Sequence, residues 1–320
     1  MRSKSEQREV EWDRVNRKLP SIRMSLVWSV VHFLLFFSLI VPGINLLTIH
    51  FMMAVILYLY LKLDLKQFIP LYAANLLLVG LVGGGRGFVL LLFPLIFLPG
   101  AVVMGILYKR KWTAYRTIVA GALTLVAEMI LCLVAVRISG RDPFEVLKAM
   151  AQQSLAGLPE KIVDLSQLNS LFYTLQMTSP FVMLAIGFYY ALVTHGLSRA
   201  FFGKRDGSIS ALPPLSKWRV PRVTAVYFVI VMTVSLFVNQ TDGSALAMIV
   251  LNLLPLLSVL LSIQGLSFLA FVCKKYRWPR AVPWIAVALI FIWNAGMYIV
   301  VFVGVLDLLF SLKERLTDKT

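Results

Sequence analysis

The sequence predicts an all-α fold, a polytopic helical bundle with eight or nine transmembrane helices, and three observations carry this. Hydrophobic residues make up 59% of the 320-residue chain and charged residues only 14%, far from the balance of a water-soluble domain. Seven stretches hold no Asp, Glu, Lys or Arg at all: 24–61, 67–85, 87–108, 165–198, 223–241, 243–273 and 281–306. About 20 apolar residues cross the hydrocarbon core as a helix, so these runs are long enough to span, and the longest holds two helices. Lastly, with the N-terminus inside, 23 of the 31 Lys and Arg fall on the inner side, the bias that orients membrane proteins.

Residues 1–23 form a basic cytoplasmic tail with seven Lys and Arg, suited to anionic lipid beside the first span. The membrane domain is expected to run over 24–312, with a short polar tail at 313–320. Pro42 and Gly43 divide the first run into a helical hairpin, because they punctuate where a span must reverse. Further spans are expected near 68–82, 87–107, 116–136, 172–198, 222–239, 244–273 and 281–306. The glycine-rich "LVGGGRGF", 81–88, joins two apolar helices and lacks the Lys-Ser or Lys-Thr ending of a phosphate loop, so it reads as an outer turn. Between 141 and 165 an amphipathic outer segment is expected, opened by Asp142 as N-cap, Pro143 at the first position and Glu145 at the third.

Nine spans conflict with the charge bias, since they would put Lys313, Arg315 and Lys319 outside. Either one run is not a complete span, and the 31-residue run with Pro255 is the first suspect, or the tail is an amphipathic outer end.

The net charge of +16 follows the inner loops, so the expected partner is the lipid bilayer and not specific nucleic acid. Cys132 and Cys273 have no companion at metal-ligand spacing, and no metal or cofactor is expected. His32 and His50 lie about 9 Å apart in depth and read as hydrogen-bonded helix contacts, and His195 as an interface residue. Glu128, within "LVAEMILC", is the sharpest residue, because an unpaired carboxylate in the membrane is costly. It is either part of a functional site or a protonated acid bonded to a neighbouring helix. Asn75, Gln176, Asn252, Gln264 and Asn294 are further mid-span polar groups, and with Glu128 they would line a small polar chamber. Gln176, Pro180, Met183, Gly187, Tyr190 and Thr194 share one helix face. Paired carboxylates, nucleophile elbows and His-Glu-x-x-His motifs are lacking, so an enzyme is not expected.

"LLSIQGLSFLAFVCKK" (260–275) and "MYIVVFVGVLDLLFSLKERL" (297–316) resemble the end of the YybS family of uncharacterised bacterial membrane proteins. Ile263, Gln264, Gly265, Leu266, Gly304, Asp307, Leu312 and Arg315 carry the resemblance, together with "GAVVMGILYKRK" and "FYYALVTHGLSRAF". It implies a bacterial cell membrane location. It also implies a distant similarity to the S components of energy-coupling-factor transporters, hence a small-molecule ligand and a docked membrane or ATPase module. Gly100, Gly105, Asp307 and Arg315 are candidate docking residues, although small residues also pack helices internally and Asp307 is equally suited to cap a helix or pair with Arg315. Two readings therefore stand: a substrate-binding, transporter-like subunit, and a membrane scaffold or assembly factor that binds other proteins.

Overall fold

Apolar runs become helices throughout the computed structural model, which describes residues 26–39, 43–82, 87–155, 165–203, 207, 209–241, 243–279, 281–292 and 294–317. The helices are α1 (Leu26–Ser38), α2 (Ile44–Lys62), α3 (Leu65–Val82), α4 (Gly87–Lys109), α5 (Ala114–Ile138), α6 (Pro143–Leu155), α7 (Leu165–Met177) and α8 (Ser179–Ser198). A π turn (Arg199–Gly203) and a 3-10 turn (Leu215–Lys217) lead to α9 (Val223–Ser235), α10 (Ala245–Lys275), α11 (Ala281–Ile292), α12 (Asn294–Phe310) and α13 (Leu312–Thr317). No strand occurs among the described residues. The chain is thus an all-α membrane bundle. Among the described residues, five helices are long and apolar enough to cross a bilayer.

The chain forms two interleaved units. Unit 1 comprises 1–140 and 183–212, and unit 2 comprises 141–182 and 213–320. In unit 1, Gly43 opens α2 at φ +86°, a backbone that glycine adopts without strain. The Ser38 hydroxyl then donates to Thr48 Oγ1 at 2.7 Å, closing the α1–α2 hairpin where Pro42 and Gly43 predict it. From Met52 to Tyr60 every residue of α2 is buried, so α2 is hydrophobic all round and central. Gly105 lets it come close to α4, since a Cβ there would lie 2.3 Å from the Tyr60 ring. The "GGGR" turn, 83–86, lies outside the described residues.

In unit 2, α9, α11 and α12 pack on α10. As expected, Asp142 caps α6: its Oδ1 accepts the Phe144 and Glu145 amides at 2.9 and 3.3 Å.

Two expectations are corrected. The run 172–198 is not one helix, because it breaks at Thr178 between α7 and α8. The suspect run containing Pro255 is one unbroken 31-residue helix, about 46 Å long at 1.5 Å per residue. In the run 281–306, α11 and α12 lie on either side of residue 293, which is outside the described residues. Lys275, at the end of α10, donates to the Leu316 carbonyl, and Lys313 Nζ reaches Ser267 Oγ at 2.9 Å. The ends of α10 and α12 therefore lie on one side, which brings Lys313 beside the C-terminal half of α10.

Two helices end alike. At the ends of α4 and α10, Lys111 and Arg277 take left-handed backbone, with φ of 60° and 55°, and the next residues, Trp112 and Trp278, donate their amides to Leu107 and Cys273 carbonyls at 3.0 and 2.8 Å. This is a Schellman ending, in which glycine is the usual left-handed residue. A side chain there costs about 1–2 kcal/mol.

Candidate functional site

The small residues of α10 and α12 set the site. A Cβ on Gly265 would lie 2.1 Å from the Val300 carbonyl oxygen, and one on Gly304 would lie 2.1 Å from that of Leu261. Only glycine at both positions lets the backbones meet this closely. One turn away, Gln264 and Asp307 face each other, 1% and 3% exposed. Gln264 Nε2 donates to Asp307 Oδ2 at 2.5 Å, and Gln264 Oε1 accepts the Val220 amide at 2.8 Å. Asp307 Oδ1 accepts the Lys313 amide at 2.9 Å, which ties down the first turn of α13.

A second tier joins the same segments. Ser267 Oγ lies within hydrogen-bonding distance of the Leu215 and Trp218 carbonyls, at 2.8 and 2.7 Å, and donates its single proton to one of them. Lys313 Nζ donates to the Trp218 carbonyl at 3.1 Å. Burial pushes its ammonium below the usual lysine range, against the opposing pull of Asp307. At the surface, Arg219 and Arg222 both bond Glu314, the latter at 2.5 Å. The Arg219 hydrogen bond holds the Glu314 carboxyl below its ordinary range. These residues with Val220 and Pro221 line an open concavity of about 410 Å³. Buried bonds thus fix a charged surface built from α13 and the segment 213–222.

Of the predicted site residues, Gln176, Asn252, Gln264 and Asn294 belong to unit 2. Gln264 is used on both sides of its amide. Asn252 is also engaged: Oδ1 accepts the Phe181 amide at 2.9 Å, while Nδ2 donates to the Met177 and Met248 carbonyls, each at 2.7 Å. It thereby holds the break between α7 and α8. Gln176 is exposed, and the side chain of Asn294 lies outside the described residues. The expected single stripe of α7–α8 is split, with Pro180 exposed but Gly187 and Thr194 buried.

Glu128 belongs to unit 1. Both its oxygens are buried without hydrogen-bond geometry to any described residue, although the Gly100 backbone is close enough to influence the carboxyl. His32 is likewise fully buried with no hydrogen-bond partner among described residues; it packs edge-on to Phe36. His50 does meet Tyr189 Oη, at 3.3 Å. His195 is buried and bonds Tyr108 Oη at 2.6 Å.

Of the candidate docking residues, Gly100 faces Met53 and Leu125, and Gly105 faces Tyr60; both serve packing within unit 1. Asp307 caps α13 and does not pair with Arg315. Arg315 is exposed. No group of three His, Cys, Asp or Glu stands close enough to hold a metal ion among the described residues.

Gln264, Gly265, Gly304 and Asp307 each stand out in the sequence, but their mutual contact does not. The residues missed altogether are Ser267 and Val220, since a serine in an apolar helix and a valine beside a proline carry no distinguishing signal.

A family model described as "Predicted membrane protein (DUF2232)" matches residues 29–308. An uncharacterised protein, YybS of Bacillus subtilis (strain 168), is 25% identical over 263 residues, covering 78% of this chain and 83% of its own. No solved structure matches the chain.

Proposed function

We infer that this chain, which belongs to the DUF2232 family of predicted membrane proteins, is a non-enzymatic membrane scaffold. It presents the charged surface of α13 and residues 213–222 to a partner protein on the inner side of a bacterial cell membrane. The observation that carries this reading is the Gln264–Asp307–Lys313 network. It spends three buried polar side chains, Gln264, Ser267 and Asp307, to fix the position of α13, whereas that helix is too short to hold itself in water.

A second reading follows from one observation, the buried unpaired oxygens of Glu128. Here the chain is a substrate-binding transporter-like subunit, similar to energy-coupling-factor S components, and Glu128 holds a cationic or hydrogen-bond-donating small molecule. Gln264 and Asn252 do not favour it, because their amides are already bonded.

The readings separate by mass spectrometry of everything retained on the full chain purified from its native membrane. The scaffold predicts a stoichiometric protein lost in Arg219→Gln/Arg222→Gln and kept in Glu128→Gln. A single metabolite or an ATPase module lost in Glu128→Gln, with no such protein, overturns it in favour of transport.

A further inference from the structure

At the elbow where α10 ends and α11 begins, Ala270, Cys273, Lys274, Arg277, Trp278 and Pro283 line an open concavity of about 420 Å³. Lys274, Arg277 and Trp278 are exposed, and neither cation pairs with an acidic group among the described residues. Lys275, their neighbour, is spent on the Leu316 carbonyl. The concavity therefore offers two uncommitted cations and an indole.

Two further features narrow the ligand. The first turn of α11 borders the concavity through Pro283, so the positive end of that helix adds potential beside the cations. Directly above, Trp284 and Ile285 are 74% and 56% exposed; they continue the basic concavity into an apolar helix. A free phosphate would use only the basic part. An amphiphile with an anionic head and apolar chains would use both, and tryptophan is the residue that favours the boundary between them.

We propose that this elbow is a binding seat for an anionic phospholipid of the surrounding bilayer, its phosphate held by Lys274 and Arg277 and its acyl chains lying along α11. Arg277 occupies the left-handed position that glycine takes most easily, and the seat gives its side chain a use there. The proposal is independent of the scaffold reading, since it involves none of Arg219, Arg222 or Glu314.

The test is native mass spectrometry of the full chain in detergent, titrated with phosphatidylglycerol or with phosphatidylcholine of the same acyl chains. Phosphatidylglycerol should bind Lys274→Gln/Arg277→Gln about thirtyfold more weakly than wild type, from about fivefold for each cation near a membrane surface. Phosphatidylcholine should bind both proteins equally. Arg277→Gly guards against misfolding, because it relieves the left-handed backbone. It should melt no lower than wild type and still bind phosphatidylglycerol about fivefold more weakly. Unchanged phosphatidylglycerol binding in these variants, or equal affinity of wild type for the two lipids, overturns the proposal. Displacement of the lipid by millimolar inorganic phosphate overturns it too, by assigning the site to free phosphate.

Discussion

Replacing Gly304 by alanine tests the central crossing directly. The new Cβ would sit 2.1 Å from the Leu261 carbonyl oxygen and 3.1 Å from the Gly265 amide nitrogen, both backbone atoms that no rotamer change can remove. Restoring ordinary contact requires α10 and α12 to separate by about 1 Å, and overpacking of this kind costs about 1–3 kcal/mol. The same movement carries the 2.5 Å Gln264–Asp307 bond beyond hydrogen-bonding distance, and a bond to a charged group is worth about 1.5–3 kcal/mol. Alanine recovers about 1 kcal/mol of helix propensity, which leaves a net loss of about 2–5 kcal/mol. Equilibrium unfolding in mixed micelles followed by helical circular dichroism reads this loss. Gly196→Ala is the matched control, since its Cβ would meet nothing within 4 Å; it should be neutral or mildly stabilising. Gly304→Ala unfolding with the wild-type midpoint would refute the close crossing.

Further outcomes follow from the same network. Gln264→Leu removes the partner of a buried carboxylate and should cost about 3–5 kcal/mol in the same assay; proteolysis at Lys313 and Arg315 should rise in parallel as α13 comes loose. Asn252→Ala leaves the Phe181 amide and the Met177 carbonyl unpaired and should cost about 1–3 kcal/mol. Hydrogen exchange should localise that loss to the junction of α7 and α8. Because the Glu314 carboxyl is depressed in the folded chain, its contribution is full above the ordinary carboxylate range and is lost as pH falls through the lower folded value. The Arg219 and Arg222 guanidinium resonances should hold steady near neutrality and shift only in acid; a transition near neutral pH would contradict this pairing.

The membrane character and most helix positions were legible because charge-free length is a property of composition alone. The hairpin at Pro42 and Gly43 and the Asp142 cap were legible for a similar reason: each depends on residues a few positions apart. Helix continuity inside an apolar run was not. Hydropathy reports the solvent, and it is silent on whether Thr178 ends a helix or Pro255 passes through one. The polar groups were found, but their partners were not. Gln264 meets Asp307 across 43 residues and Val220 across 44, a register set by two glycines whose spacing does not reveal which backbone they approach. Glu128 was read as a costly acid, and the structure leaves that cost uncompensated by any described side chain.

The interleaving of the two units governs how the chain can be made. Unit 1 closes only when 183–212 arrives, so helices α1 to α5 must wait while roughly seventy more residues emerge, which takes several seconds at about 5–20 residues per second. Residues 141–182 wait in turn for everything after 213. Neither half can be produced alone by cutting the chain once, and a ribosome stalled before α8 would leave Tyr108 without His195, its hydrogen-bond partner in the finished fold. Insertion order is thus written into the topology, with α8 as the clasp that completes the earlier half.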